Sequence, residues 1–262
     1  MTQGARLVCL PPAGGGPSLF RAWRAIPGLA IETPGLPGRE GRFREPPASS
    51  LAALADRLAE EIAPRLGGRF ALFGYSMGGV LALLLAERLA RRGLPGPEAL
   101  FVLGSAPPDR LNAAIAGLHA RESAAFWAEI ARIGGTPAAV IASAEMRELF
   151  EPALRADFRL CETYRHADRG FRLDCPVHVF LAEADHLVHA EDAAAWAGHS
   201  RGPTRVRRIP GGHMLDPAAF AALGARIAAL WPQGAAGGST GDGSTGGGST
   251  GGGLTNDAGL LV

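Results

Sequence analysis

The amino-acid sequence predicts an α/β fold in which helices flank a mostly parallel central sheet. Short apolar runs alternate with longer amphipathic ones along most of the chain, a pattern that is typical of parallel sheets covered on both faces. One segment, residues 111–164, reads instead as several helices with no strand between them. We therefore expect a helical insertion above the sheet, a segment that is referred to below as the lid.

The individual elements follow from these runs. Leu51 opens an amphipathic stretch, so we predict a helix over 51–66 with Ser49 or Ser50 as its N-cap. A second helix is predicted over 77–92 and ends at Gly93, and a third over 217–231 begins after Asp216. Strands are predicted at residues 6–10, 70–73, 99–103, 177–181 and 206–209.

The composition changes abruptly near residue 233, so we place one folded domain at 1–232. Residues 233–253 include GGSTGDGSTGGGSTGGG and are predicted to be a flexible linker. The chain then ends in LTNDAGLLV, residues 254–262. This apolar peptide is either a docking motif for a partner protein or an inert extension.

The bulk properties exclude several function classes. With 262 residues, 47% of them hydrophobic, the chain can build one sizeable core, and its net charge of +1 gives no reason to expect nucleic acid or an anionic membrane as partner. The longest apolar run, VLALLLA, is too short to span a bilayer, and no secretory signal is visible. Cys9, Cys161 and Cys175 are expected to be free thiols rather than a metal site, which indicates a cytoplasmic protein.

The segment Gly74-Tyr75-Ser76-Met77-Gly78 matches the pattern G-x-S-x-G between a predicted strand and a predicted helix. In that context the serine occupies a sharp, strained turn that projects its hydroxyl at the N-terminus of the helix. Glycine is needed two residues to either side because a larger residue would collide with the neighbouring strand or helix. Ser76 is therefore predicted to be a nucleophile, the alternative being a simple N-cap of the helix.

A serine nucleophile needs a base and an orienting carboxylate on later loops. His213 follows the strand 206–209 in IPGGHMLD and is preferred over His178, which lies inside an apolar run. Asp185 in VHVFLAEADHLV is the preferred acid, four residues after the predicted strand end. Glu183 is the near alternative, whereas Asp192 is better explained as the cap of a helix.

Acyl transfer also needs donors for the developing oxyanion. The first predicted strand leads into Pro-Pro-Ala-Gly-Gly-Gly, whose small residues let backbone N–H groups approach a ligand. We predict that the amides of Ala13 and Met77 form an oxyanion hole. Dinucleotide binding is disfavoured because the glycines lack the spacing G-x-G-x-x-G.

At this point the sequence resembles one family, the type II thioesterases of polyketide and nonribosomal peptide biosynthesis. The resemblance spans roughly residues 5–225 and rests on several stretches in the family's order: LVCLPPAGGGPSLFRAW, ETPGLPGREGRFREPP, FALFGYSMGG, RIGGTP, FEPALRADFRLCETYRH, LDCPVHVFLAEAD and IPGGHML. It implies an α/β-hydrolase fold with a helical lid. It also implies the same triad and oxyanion residues, with an acyl or peptidyl carrier protein as partner and no cofactor of the enzyme's own, because the phosphopantetheine belongs to the substrate.

Three stretches depart from the family's pattern. Tyr75 precedes the serine where the family usually has histidine, GSAP at 104–107 replaces Arg-Arg-Ala-Pro, and residues 111–122 of the lid are altered. Tyr75, Phe126 and Trp127 are candidate substrate-binding residues, and for the two lid residues ordinary helix packing is an equal alternative. The resemblance implies hydrolysis of stalled acyl groups. A product-releasing hydrolase or cyclase, a stand-alone carboxylesterase and a non-catalytic binding module are the competing interpretations.

Overall fold

Six parallel strands form one sheet in a computed structural model that describes residues 5–110, 115–166 and 170–231. The strand order is β2-β1-β3-β4-β5-β6, and every neighbouring pair is parallel. The predicted fold class is therefore confirmed. The strands run over Ala5–Leu10 (β1), Leu29–Glu32 (β2), Phe70–Tyr75 (β3), Leu100–Leu103 (β4), Val177–Ala184 (β5) and Thr204–Gly212 (β6).

Three strands differ from the predictions by three residues or more, and β3 ends two residues later than predicted. Strand β2 was not predicted, because LAIE is short, carries a charge and lies at the partly exposed edge of the sheet. Strands β5 and β6 extend three residues further than predicted, since they pair with each other along almost their whole length. As a result Glu183 lies within β5, and Asp185 follows the strand directly rather than four residues later.

Helices form close to their predicted positions. Helix α1 covers Leu51–Ile62 and begins at Ser50, whose side chain accepts a hydrogen bond from the amide of Ala53. Helix α2 covers Met77–Arg91 and is followed by Gly93 at a positive φ. Asp216 caps the last helix in the same way. That last helix is α7 (Pro217–Leu230), and the remaining α-helices are α3 (Ser123–Ile133), α4 (Ala138–Ala142), α5 (Ala144–Thr163) and α6 (Ala190–Ala195).

The central strands β1, β3 and β4 and most of β5 bury both of their faces. On β1, Val8 and Leu10 point into the core beneath α1 and α2, whereas Leu7 and Cys9 point to the opposite face. That second face is covered by α7 and by a 3-10 helix at Pro17–Ala25, with the ring of Trp23 stacked on Phe220. Such two-sided burial explains the continuous apolar runs in the sequence.

The lid follows β4 and contributes α3, α4 and α5, with no strand among its described residues. It has an apolar cluster of its own, separate from the two cores on the sheet. All three cysteines are buried and free, as predicted. In the described ranges no helix is long and apolar enough to cross a membrane. The linker 233–253 and the peptide 254–262 lie outside the described residues.

Candidate active site

Ser76 stands at the turn between β3 and α2. Its backbone adopts φ +51° and ψ −117°, a strained conformation for a residue other than glycine. A Cβ at Gly74 would collide with the backbone of Gly78, and one at Gly78 would collide with the carbonyl of Leu10. Both glycines therefore allow strand and helix to approach closely, and we call residues 74–78 the elbow.

The Ser76 hydroxyl belongs to a hydrogen-bonded relay. It lies 3.0 Å from Nε2 of His213, whose Nδ1 lies 3.0 and 3.1 Å from the two carboxylate oxygens of Asp185. Ser76 occupies the N-cap position of α2, but its side chain makes no capping hydrogen bond there, so capping does not account for the hydroxyl. Serine, histidine and aspartate thus meet in the order and geometry that an activated nucleophile requires.

Strand ends bring the acid and the base together. Asp185 follows β5 and His213 follows β6, and the carboxyl ends of these neighbouring strands lie at one edge of the sheet. The carboxylate of Asp185 also accepts hydrogen bonds from the amides of Leu187 and Val188, at 2.8 and 3.1 Å. Burial raises the pKa of Asp185, but the hydrogen bond and charge of His213 and the two amides outweigh it, so the pKa lies below its ordinary value.

The competing residues lie elsewhere. Glu183 is exposed on β5, and Asp192 accepts a hydrogen bond from the amide of His189 at the start of α6, as predicted for a cap. His178 is buried in the sheet against the ring of Phe101. The structure therefore brings only the preferred acid and base to Ser76.

Tyr75 requires a correction. Its side chain is 1% exposed and stacks on Phe220 in the apolar core between the sheet and α7, so it does not reach a substrate above Ser76. Its hydroxyl donates to the carbonyl of His213 and accepts from the amide of Leu215, both at 2.8 Å. Tyr75 thus supports the loop that carries His213. This role is not predictable from the sequence, since it depends on which way the ring points.

The predicted oxyanion donors are the amides of Ala13 and Met77. Ala13 is partly buried in the loop after β1, and Met77 is the first residue of α2. In the described part of the chain no hydrogen bond uses either N–H group as donor. Both amides are thus available for a ligand, and their role stays a prediction.

Phe126 and Trp127 lie inside the lid rather than at its surface. Both are buried, and the guanidinium of Arg155 covers the ring of Phe126 at 4.3 Å. The indole N–H of Trp127 donates to Glu151. Their cluster nevertheless extends to Ala13 in the loop after β1, and to Leu187 and Met214, which lie near Asp185 and His213 in sequence; its members are Leu118, Phe126, Trp127, Ile130, Ile133 and Phe158. The rings of Phe126 and Trp127 thus form the interior of the lid, behind the apolar side chains of Leu187 and Met214.

Nothing in the described ranges resembles a metal centre, because no three His, Cys, Asp or Glu side chains are grouped to hold an ion there. A buried ion pair that was not predicted, Arg39 with Asp157, lies beside the loop that carries Ala13. Helix α5 carries charged residues along its whole length, so the sequence does not single out Asp157 as the buried one.

Comparison with known proteins gives a consistent family. The family model described as "Thioesterase domain" matches residues 5–221. The chain is 37% identical over 238 residues to "Probable cadicidin biosynthesis thioesterase" of Streptomyces griseus, covering 89% of this chain and 64% of that protein's length. It is 35% identical over 213 residues to "Gramicidin S biosynthesis protein GrsT" of Aneurinibacillus migulanus, covering 80% and 82%.

Among solved structures, the chain is similar to RedJ, a thioesterase from the prodiginine biosynthetic pathway of Streptomyces coelicolor. The two share 36% sequence identity with a TM-score of 0.76, and the match covers 84% of each chain. The likeness therefore extends over most of both chains.

Proposed function

The chain belongs to the thioesterase domain family, and from this we propose that it hydrolyses acyl groups from the phosphopantetheine arm of carrier proteins in polyketide or nonribosomal peptide assembly lines. The observation that carries the proposal is the relay from Ser76 through His213 to Asp185 on a strained elbow. The biosynthetic pathways named for its relatives support the substrate class.

The first half of the reaction forms an acyl-enzyme. His213 takes the proton of the Ser76 hydroxyl while the oxygen attacks the thioester carbonyl, which becomes a tetrahedral oxyanion. The amides of Ala13 and Met77 would stabilise this charge, and losing one such donor typically costs about 3 kcal/mol. The carbon–sulfur bond then breaks, and His213 returns its proton to the departing thiolate of the pantetheine arm.

Water completes the cycle. His213 now deprotonates a water molecule, which attacks the acyl-Ser76 ester, and collapse of the second oxyanion releases the carboxylic acid and restores the serine. Throughout, Asp185 holds the imidazole in the required tautomer and stabilises its positive charge. The reaction so written uses no metal and no cofactor of the enzyme.

The lid provides the binding surface for the acyl group in this proposal. Leu187 and Met214 are partly buried in the lid cluster and lie beside the acid and the base in sequence. An acyl chain would contact these apolar side chains. Phe126 and Trp127 lie behind them and would determine the depth of the space available to the acyl chain. The proposed cellular role is editing, which removes stalled or incorrect acyl groups from the carrier in the cytoplasm.

A comparison of three substrates with the same enzyme tests the proposal. They are an acyl carrier protein loaded with a short acyl group, the same acyl group on free pantetheine, and its nitrophenyl ester. We expect kcat/KM for the loaded carrier to exceed that for free pantetheine, and Ser76→Ala to lose roughly 10³-fold or more in kcat. A preference for the nitrophenyl ester would indicate a carboxylesterase, and a cyclised product would indicate a releasing enzyme.

A fluorophosphonate probe reports on the nucleophile independently of the substrate. Wild-type enzyme should be labelled at Ser76, and Ser76→Ala should not be labelled at all. Absence of labelling in a folded wild-type protein would contradict the catalytic role of the relay and favour the binding module.

A further inference from the structure

The loop between β1 and the 3-10 helix, residues 12–18, carries the proposed oxyanion donor Ala13, and we call it the oxyanion loop. Glu40 holds one end of it. The carboxylate accepts a hydrogen bond of 2.6 Å from the Ser18 hydroxyl and two of 3.2 Å from the Ser18 amide. It lies so close to Gly16 that a Cβ there would collide with it.

The other end is held by a charge from the lid. Asp157 of α5, only 1% exposed, accepts a hydrogen bond of 2.7 Å from the amide of Gly14. The same carboxylate forms a two-pronged ion pair with Arg39, one of whose bonds measures 2.7 Å. Arg39 donates in turn to the carbonyl of Gly15 at 3.3 Å. Both charges are thus paired, which their burial requires.

Helix α5 also packs directly on the oxyanion loop. Leu154, one turn before Asp157, fills the space in which a Cβ of Gly14 would lie. Gly14 itself has φ +72°, so the chain turns sharply one residue after Ala13. Ala13 stands between Pro12 and Gly14, and helix α5 of the lid holds Gly14 in place. These neighbours therefore fix the direction of the Ala13 N–H group.

We propose that Asp157 and Arg39 are positioning residues for the oxyanion hole, which is formed correctly only when α5 of the lid is docked. This inference rests on the proposed function, because it assigns the Ala13 amide to the oxyanion. Asp157 links the lid to the loop, and Arg39 neutralises its buried charge and holds the next carbonyl. Movement of α5 away from the sheet would release the amide of Gly14 and with it the direction of Ala13.

Asp157→Asn tests the link with little change of shape. The amide side chain keeps an acceptor for Gly14 but loses the charge that pairs with Arg39, so the loop loses its firm anchor. Because a displacement of about 1 Å can cost roughly 10²-fold in rate, we expect kcat to fall by about 10- to 100-fold with KM for the pantetheine thioester changed by less than about threefold. The rate of fluorophosphonate labelling should fall with kcat, since the phosphonyl oxygen uses the same amides.

Arg42→Gln is the matched control. Arg42 lies three residues from Arg39 and is also ion-paired, but with Glu45 and Glu61, away from the oxyanion loop. The substitution Arg42→Gln should lower the melting temperature without lowering kcat or the labelling rate. Arg39→Lys provides a second variant, since it keeps the positive charge but loses the two-pronged geometry, and it should lower kcat in the same direction.

Three outcomes overturn the inference. They are wild-type labelling and kcat in a folded Asp157→Asn or Arg39→Lys protein, an equal loss in Arg42→Gln, and a raised KM with unchanged kcat. If Asp157→Asn does not fold, Arg39→Lys decides by the same criteria. Failure of the proposed function is distinguishable, because there the wild-type protein itself would not be labelled or Ser76→Ala would still turn over thioester.

Discussion

The elbow and the oxyanion loop face the same reaction centre but are held in different ways. The elbow, residues 74–78, depends on backbone contacts, with Gly74 against the first turn of α2 and Gly78 against the end of β1. The oxyanion loop depends on side chains that come from distant positions, above all Glu40 and Asp157. The nucleophile is therefore placed by local chain geometry, whereas the proposed oxyanion donor Ala13 is placed by tertiary contacts that include the lid.

The largest effect is expected at Asp185, the acid of the hydrogen-bonded relay that ends at Ser76 on the elbow. Asp185→Asn should lower kcat by roughly 10⁴-fold, because the amide would hold His213 in the wrong tautomer while the backbone of the elbow stays intact. Steady-state hydrolysis of the pantetheine thioester measures this loss. Glu183→Gln, an exposed carboxylate two residues earlier, is the control and should stay near the wild-type rate. A larger loss for Glu183→Gln would show that the acid is misassigned.

Matched glycine substitutions compare the two regions directly. Gly78→Ala forces a methyl group against the backbone carbonyl of Leu10, so we expect it to cost about 3 kcal/mol or more of the free energy of unfolding. Gly14→Ala meets the flexible end of Leu154 and a positive φ, for which about 1–2 kcal/mol is expected.

Urea unfolding measures both losses, and Gly96→Ala is the control because no atom lies within 4 Å of its added Cβ. Equal losses of unfolding free energy in Gly78→Ala and Gly14→Ala would contradict the view that backbone contacts hold the elbow whereas side chains hold the oxyanion loop.

The free energy of unfolding should depend on pH because of a buried histidine in the sheet beneath both regions. Burial, followed by the charges of Arg207 and Arg205, lowers the pKa of His178 to about 4. The folded protein therefore keeps this histidine neutral while the unfolded chain takes up a proton near pH 6.5, so stability is lost as the pH falls from about 6.5 to about 4. Between pH 7 and pH 5 we expect a loss of about 2 kcal/mol.

Urea unfolding at the two pH values checks this, and His178→Gln should reduce the difference. The pKa of Asp185 is lowered, so its contribution is lost only at still lower pH and does not enter this window. An unchanged difference in His178→Gln would assign the pH dependence to other groups.

The smallest effect is expected at Tyr75, which connects the elbow to the loop of His213. Tyr75→Phe removes one hydroxyl and leaves the carbonyl of His213 and the amide of Leu215 without that partner. We expect a cost of about 1 kcal/mol, seen as a fall in kcat of about tenfold or less. Tyr164→Phe makes the same chemical change outside the site and should leave kcat unchanged. If the two variants behave alike, Tyr75 does not position the base.

Part of the site was predictable because its signals are contiguous. The pattern G-x-S-x-G, flanked by an apolar run and a helix, requires the strained turn that Ser76 shows. Asp185 and His213 each follow an apolar run that forms a strand, and ends of parallel strands meet at one edge of the sheet. Their catalytic roles stay a prediction, but their proximity is a direct consequence of the fold.

Other features were not predictable from the same signals. Strand β2 was missed because an edge strand needs no continuous apolar run. The extra length of β5 and β6 comes from their mutual pairing. Phe126 and Trp127 looked like possible lining residues, yet Arg155 and Glu151 hold them inside the lid.

The α/β fold, the elbow and the order of the candidate triad could be predicted from the sequence, since each is encoded by periodicity or by a short contiguous motif. What supports these parts follows from the tertiary structure. Tyr75 serves the base loop because its ring packs in the core against Phe220 of α7, and Asp157 meets Arg39 across 118 residues of chain. Such contacts leave no periodic signal, because they depend on how the helices and loops dock rather than on the residues beside them in the chain.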